Sequence, residues 1–85
     1  MNHYPQQFQA ILVACYSGHS YADRPASLMW NGERYDIVDI EREWFEPGQK
    51  HFIVRVTNAN VAESEKRFHI CYHTQEDLWR LKEIQ

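Results

Sequence analysis

Two cysteines, three glycines and three prolines are all that this 85-residue chain contains of those types. So few cysteines rule out a disulfide-stapled miniprotein, and so few glycines and prolines rule out a collagen-like repeat or a flexible low-complexity linker. No apolar run approaches the ~20 residues that a membrane-spanning helix needs, and no secretory leader is recognisable. The expectation is a cytoplasmic protein without a membrane partner, with Cys15 and Cys71 both reduced. An excess of positive charge is also missing. Residues 1–40 carry four acids against two bases and residues 41–85 eight against seven, for a net charge of −3. That balance argues against strong non-specific DNA binding, which needs a cluster of phosphate-neutralising charges, although a local patch is compatible with it. There is no phosphate-binding loop, dinucleotide fingerprint or internal repeat.

Aromatic rings are plentiful, with three Trp, five Tyr and four Phe. Rings fill a small core efficiently. At this length one domain is expected, burying about 60–65% of its unfolded surface. The stretch from Trp30 to Thr57 reads as three strands joined by two turns. Asn31-Gly32 suits a tight hairpin turn, since both residues tolerate positive φ. Tyr35 and Ile37 share one face, whereas Ile40, Arg42 and Trp44 have the opposite parity. A β-bulge near Val38-Asp39 is predicted to return Ile40 and Trp44 to the face of Tyr35. Glu46-Pro47-Gly48-Gln49 is a second turn. Phe52, Val54 and Val56 then alternate with a wetter face carrying Arg55 and Thr57.

Around this meander the rest falls into place. Residues 1–7 read as a loose N-terminus and Phe8 to Tyr16 as a first strand. Residues 17–26 form a loop in which Arg24, preceding Pro25, is extended, and Ser27 to Trp30 is a short second strand. Residues 58–66 read as a long loop. In Arg67 to His73, the residues Phe68, Ile70 and Tyr72 form the core face. The C-terminus is open between a helix capped at Thr74 and a short strand containing Trp79 and Leu81. The fold class expected is all-β: a single antiparallel barrel or roll of five to six strands spanning residues 1–85, with or without a short C-terminal helix.

Several groupings invite a chemical reading. His69, Cys71 and His73 fall on one strand face and are zinc-ligand types, but i and i+4 lie about 13 Å apart on a strand; the plainer reading is a half-polar surface, and no metal or other cofactor is expected. Glu41, Glu43 and Glu46 form a carboxylate cluster that alternation treats as a solvated face. Ser17, His19, Ser20 and Asp23 lie too close in sequence to assemble readily into a triad. Tyr16, Tyr21, Arg24, Arg42, Trp44 and Arg55, with Arg34, are residue types that stack bases, hold phosphates and dominate protein interfaces. These are the candidate binding residues. Trp30, Tyr35 and Trp44 are nonetheless better read as core, and Arg24 as an anchor for its loop.

Val13, Cys15-Tyr16-Ser17-Gly18, Arg24-Pro25, Trp30-Asn31-Gly32 with Tyr35, Ile40, Trp44, Phe52, Phe68 and Trp79 with Leu81 follow one another in a distinctive order. That order resembles a family of short bacterial proteins of unknown function, with a tyrosine-glycine loop, an Arg-Pro pair, a Trp-x-Gly-x-x-Tyr hairpin, a spaced tryptophan and a terminal Trp-x-Leu. The resemblance covers residues 11–84. It departs at residues 58–66, where the family has a short acidic-glycine turn, and at the C-terminus, where only the strand core matches. The resemblance implies a strongly curved barrel or roll, and some members occur with error-prone DNA polymerase components. Taken together, the sequence is read as a non-catalytic binding module, monomeric or dimeric, for a protein partner or single-stranded nucleic acid. The alternatives are a small metal-binding or enzymatic domain using His69, Cys71 and His73, and a homodimeric structural domain.

Overall fold

The computed structural model describes residues 8–16, 24–60 and 65–84. Six strands follow in chain order: β1 (Gln9–Cys15), β2 (Pro25–Trp30), β3 (Glu33–Glu46), β4 (Gln49–Thr57), β5 (Lys66–His73) and β6 (Leu78–Ile84). Each pairs antiparallel with its neighbour, and β1 pairs with β6 to close a barrel. No helix occurs among the described residues.

The turns follow from local chemistry. Asn31 and Gly32 both take positive φ, 52° and 79°, as a primed hairpin turn requires. Gly48, at φ 78°, turns β3 into β4 after Pro47. The C-terminal segment is a strand. Thr74 to Asp77 is a turn rather than a helical cap: Asp77 sits at φ 54°, the Thr74 N–H donates to the Gly48 carbonyl at 2.9 Å, and the Tyr72 hydroxyl donates to the Asp77 carboxylate at 2.7 Å. Pairing with β5 and β1 buries Trp79 and Leu81, outweighing the helical preference of Leu, Lys and Glu.

Strand β3 organises the molecule. Its first bulge, at Val38, keeps Ile37 and Ile40 on one side, opposite Val56 and Val54. A second bulge, at Glu41, is not foreshadowed by the residue pattern. It reverses parity again, so Glu43 rather than Trp44 faces the Phe52 side of the wall, and Trp44 pairs across from His51 on the outside. The expectation that Trp44 joins Tyr35 in the core is thereby overturned.

The interior contains Leu28, Tyr35, Phe52, Val54, Val56, Phe68, Ile70, Tyr72, Trp79 and Leu81, with Ile11, Val13, Cys15, Trp30, Ile37 and Ile40 packed against it. Trp30, Tyr35 and Phe68 meet at ring separations of 5.0–5.9 Å, and Trp79 lies against Phe52 and Tyr72. Tilted and edge-on contacts of this kind stabilise a core beyond simple burial. The outer face of β4 is drier than expected, since His51 and Ile53 are both buried. After β4, Asn58 is buried as well. Its side-chain oxygen accepts from the Asn60 N–H at 2.7 Å and its amide donates to Glu33, which fixes the exit of the strand. Residues 61–64, the middle of the expected long loop, lie outside the described residues, as do residues 1–7.

Candidate functional site

The outer face of β3–β6 carries an aromatic shelf. Trp44 comes from β3, His51 from β4 and His69 from β5, and Phe8 lies beside them just ahead of β1. Trp44 stacks parallel on His51 (interplanar angle 1°) with centroids 4.9 Å apart, and His69 lies 5.2 Å from His51 and 5.3 Å from Trp44. Phe8 meets His69 edge-on at 4.9 Å. Two cations sit on this shelf. The Arg42 guanidinium lies over the Trp44 ring at 5.1 Å, and the Lys82 ammonium over Phe8 at 5.3 Å. Neither forms an ion pair with a carboxylate among the described residues.

The histidines are linked by hydrogen bonds. His51 Nε2–H donates to Gln49 Oε1 at 2.9 Å, so a neutral His51 accepts at Nδ1 from His69 Nε2–H, 3.0 Å away. Glu46 lies 3.6 Å from His51 Nε2. Burial, the nearby His51 ring and Lys82 together push the His69 pKa down to about 4. The Cys71 thiol, behind this pair, is 3.7 Å from Gln49 Oε1 and 3.9 Å from His51 Nε2, and burial raises its pKa. Cys15 and Cys71 are both free. Cys15 packs against the interior whereas Cys71 is on the outer face, so the barrel wall separates them.

The candidate binding residues divide between two places. Arg42, Trp44 and Arg55 share the outer face of the β3–β4 pair. Tyr16 and Arg24 instead line a cleft of about 330 Å³ with Pro25, Ile37, Val38, Asp39, Ile40 and Glu43. Arg55 is committed elsewhere, with its guanidinium 2.9 Å from Glu65, 3.5 Å from Asp39 and 3.9 Å from Glu41. Arg34 is paired with Asp36 at 3.0 Å. The Arg24 backbone carbonyl accepts from the Tyr16 N–H at 3.0 Å, which pins the base of the loop. Tyr21, Ser17, His19, Ser20 and Asp23 lie outside the described residues.

His69, Cys71 and His73 do share one face, but each turns to a different neighbour: His69 to His51, Cys71 to Gln49, and His73 Nε2 to Arg80 at 3.5 Å. Among the described residues no three His, Cys, Asp or Glu side chains are placed to hold one ion. The carboxylate cluster is also dispersed. Glu41 pairs with Arg67 at 2.8 Å, Glu43 faces the cleft, and Glu46 approaches His51. Sequence reading missed Phe8, Gln49, His51, Arg80 and Lys82. Alternation from Phe52 would have placed His51 outside, but the second bulge, at Glu41, which brings Trp44 beside it, has no signature in the pattern.

No family profile, curated protein or solved structure matches the chain. Among the described residues no helix is long and apolar enough to cross a membrane.

Proposed function

We propose that this protein is a non-catalytic binding module whose working surface is the outer face of β3–β6, and that its ligand there is single-stranded nucleic acid. One observation carries the reading: a row of rings on the outside of the barrel is flanked by Arg42 and Lys82, two cations with no carboxylate ion pair among the described residues. Bases stack on such rings and on guanidinium planes without regard to sequence, while cations hold the backbone. The net charge of −3 and the neutralised Arg55, Arg67 and Lys66 limit the surface to a short, salt-sensitive contact. The resemblance to a family of short bacterial proteins, some of whose members occur with error-prone DNA polymerase components, is compatible with this role.

Anisotropy of a labelled single-stranded oligonucleotide tests the proposal. With two phosphate-facing cations, log affinity should fall with log salt at a slope of about −1.4. Trp44→Ala should cost about 1–3 kcal/mol of binding, and Arg42→Ala should roughly halve the slope. Binding that is indifferent to both substitutions would overturn the assignment.

A second reading, contact with a protein or a second copy of the chain, rests on a different patch. Leu12 (74% exposed) and Met29 (39%) face each other across β1 and β2 on the outside of the barrel. The two side chains make a small apolar patch open to solvent. Light scattering at high concentration distinguishes it, because a dimer dissociated by Leu12→Lys supports self-contact through this patch, whereas a monomer at high concentration removes the homodimer.

A further inference from the structure

Next to the Trp44–His51 stack, three ligating atoms from two neighbouring strands come together. His51 on β4 and Cys71 on β5 are directly opposite in the ladder, and Gln49 shares their face two residues before His51. Cys71 Sγ is 3.9 Å from His51 Nε2 and 3.7 Å from Gln49 Oε1, and those last two atoms are 2.9 Å apart. We propose that Cys71 and His51, with Gln49 as a weak third ligand, bind one soft monovalent metal ion, copper(I). The inference is independent of what the aromatic shelf receives.

Distance favours the pair. Metal bonds of about 2.0 Å to an imidazole nitrogen and about 2.3 Å to a thiolate sulfur span at most about 4.3 Å. Atoms 3.9 Å apart therefore take one ion between them in a bent arrangement, without movement of the strands. Alternate positions along a single strand never come so close, whereas opposite residues on paired strands do. Both side chains are also held. Cys71 and His51 are buried, and the Trp44 ring lies parallel to the imidazole. Access is through a cleft of about 190 Å³ that Gln49, His51 and Cys71 line together with Phe8.

The surroundings choose the ion. Zinc takes four ligands, of which the protein supplies at least three. Among the described residues no third His, Cys, Asp or Glu completes such a set. The Glu46 carboxylate comes within 3.6 Å of His51 Nε2, but it is more than half exposed. Copper(I) accepts two strong ligands, and thiolate with imidazole is a combination that suits it. One positive charge against one thiolate leaves a neutral buried pair. A divalent ion would leave a net charge out of water, with Arg80 opposite Cys71 on β6. Binding releases the thiol proton, as Cu⁺ and Cys–SH give Cys–S–Cu and H⁺. His51 frees its Nε2 by moving its hydrogen to Nδ1, which then donates to His69 Nε2 at 3.0 Å. The His69 hydrogen shifts to its own Nδ1, so both rings stay neutral. His69 thereby becomes the acceptor that ligating imidazoles usually have behind them.

The test is an anaerobic titration of the folded chain with copper(I) against the chelator bicinchoninate. Cys15→Ser serves as the background, so that the other thiol does not compete. Expected is one equivalent withheld from the chelator, with the His51 Nε2 resonance moving and tryptophan emission quenched. Trp44→Phe should remove the quenching and keep the stoichiometry. Cys71→Ser should abolish retention, His69→Ala should weaken it about 10–100-fold, and Glu46→Gln should leave it unchanged. If Cys71→Ser does not fold, the His51 resonance in the background chain still decides, because both ligands are then present. No copper withheld, copper withheld without movement of His51 Nε2, or copper still withheld by Cys71→Ser overturns the site. Zinc bound as tightly as copper, and lost in Glu46→Gln, overturns the monovalent assignment.

Discussion

His51 and His69 face each other through ring nitrogens 3.0 Å apart, and one proton lies between them. A positive charge on His69 is opposed first by burial, then by the neighbouring His51 ring and by Lys82, which together lower its pKa to about 4. The unfolded chain would take up that proton near pH 6.5. Because the folded pKa is depressed, the contribution to stability is fully present above pH 6.5. It is lost as pH falls towards 4 and constant below that. The ceiling of the shift is about 3.4 kcal/mol, which solvent screening around a half-exposed ring reduces to about 1–2 kcal/mol. Denaturant melts between pH 7 and pH 4 should register this loss, and His69→Asn should flatten this part of the profile. The ring protons of His69, followed by NMR, should stay at their neutral position to below pH 5. Cys71 offers a second check at this scale. A buried thiol with a raised pKa is a poor nucleophile. Iodoacetamide at neutral pH should therefore modify half-exposed Cys15 before Cys71, which reacts only on unfolding.

At the scale of elements, β3 decides where the site lies. Its first bulge was legible, because Tyr35 and Ile37 disagree in parity with Ile40. Its second was not, since Glu41, Arg42 and Glu43 are all polar and give no parity to read. What forces the second bulge is tertiary: Glu41 reaches Arg67 on β5 and Arg55 on β4, and Trp44 gains the His51 face. Deleting Glu41 should remove the bulge and leave Arg42 and Trp44 outside, opposite Ile53 and His51, with a loss of about 0–1 kcal/mol from the surface ion pairs to Arg67 and Arg55. Ring-current shifts of Trp44 on His51 should therefore persist in the deletion, and their loss would show that the register had slipped instead. The hairpin turns, by contrast, could be read directly from Asn31-Gly32 and Pro47-Gly48, because only a few residue types accept those backbone angles. Gly32 has open space around its missing Cβ, so Gly32→Ala suffers backbone strain alone, about 1 kcal/mol. The ambiguity at the C-terminus had a similar tertiary origin. Residues 78–84 have helical propensity, and only the pairing of Trp79 with Tyr72 and Ile11 settles them as a strand.

For the molecule as a whole, closure is the limiting feature. Among the described residues the seam between β1 and β6 has three paired positions, Gln9–Leu81, Ala10–Arg80 and Ile11–Trp79, against nine between β3 and β4. Amides along that seam should exchange through the lowest-energy openings of the barrel. A chain of this length is stable by about 4–12 kcal/mol, and truncating a fully buried Phe costs about 3–5 kcal/mol. Phe52→Ala should thus consume a large share of the total, visible as a markedly lower denaturation midpoint. Phe45→Ala, at an exposed ring, should leave it nearly unchanged.

The central claim is that the outer face around Trp44 receives single-stranded nucleic acid. An amide-shift titration of labelled protein with a short single-stranded oligonucleotide, at low and high salt, tests it most directly. Shifts concentrated at Phe8, Arg42, Trp44, His69 and Lys82 that fade as salt rises are expected. No shift at low salt, or shifts confined to Leu12 and Met29 or to Tyr16 and Arg24, would contradict it.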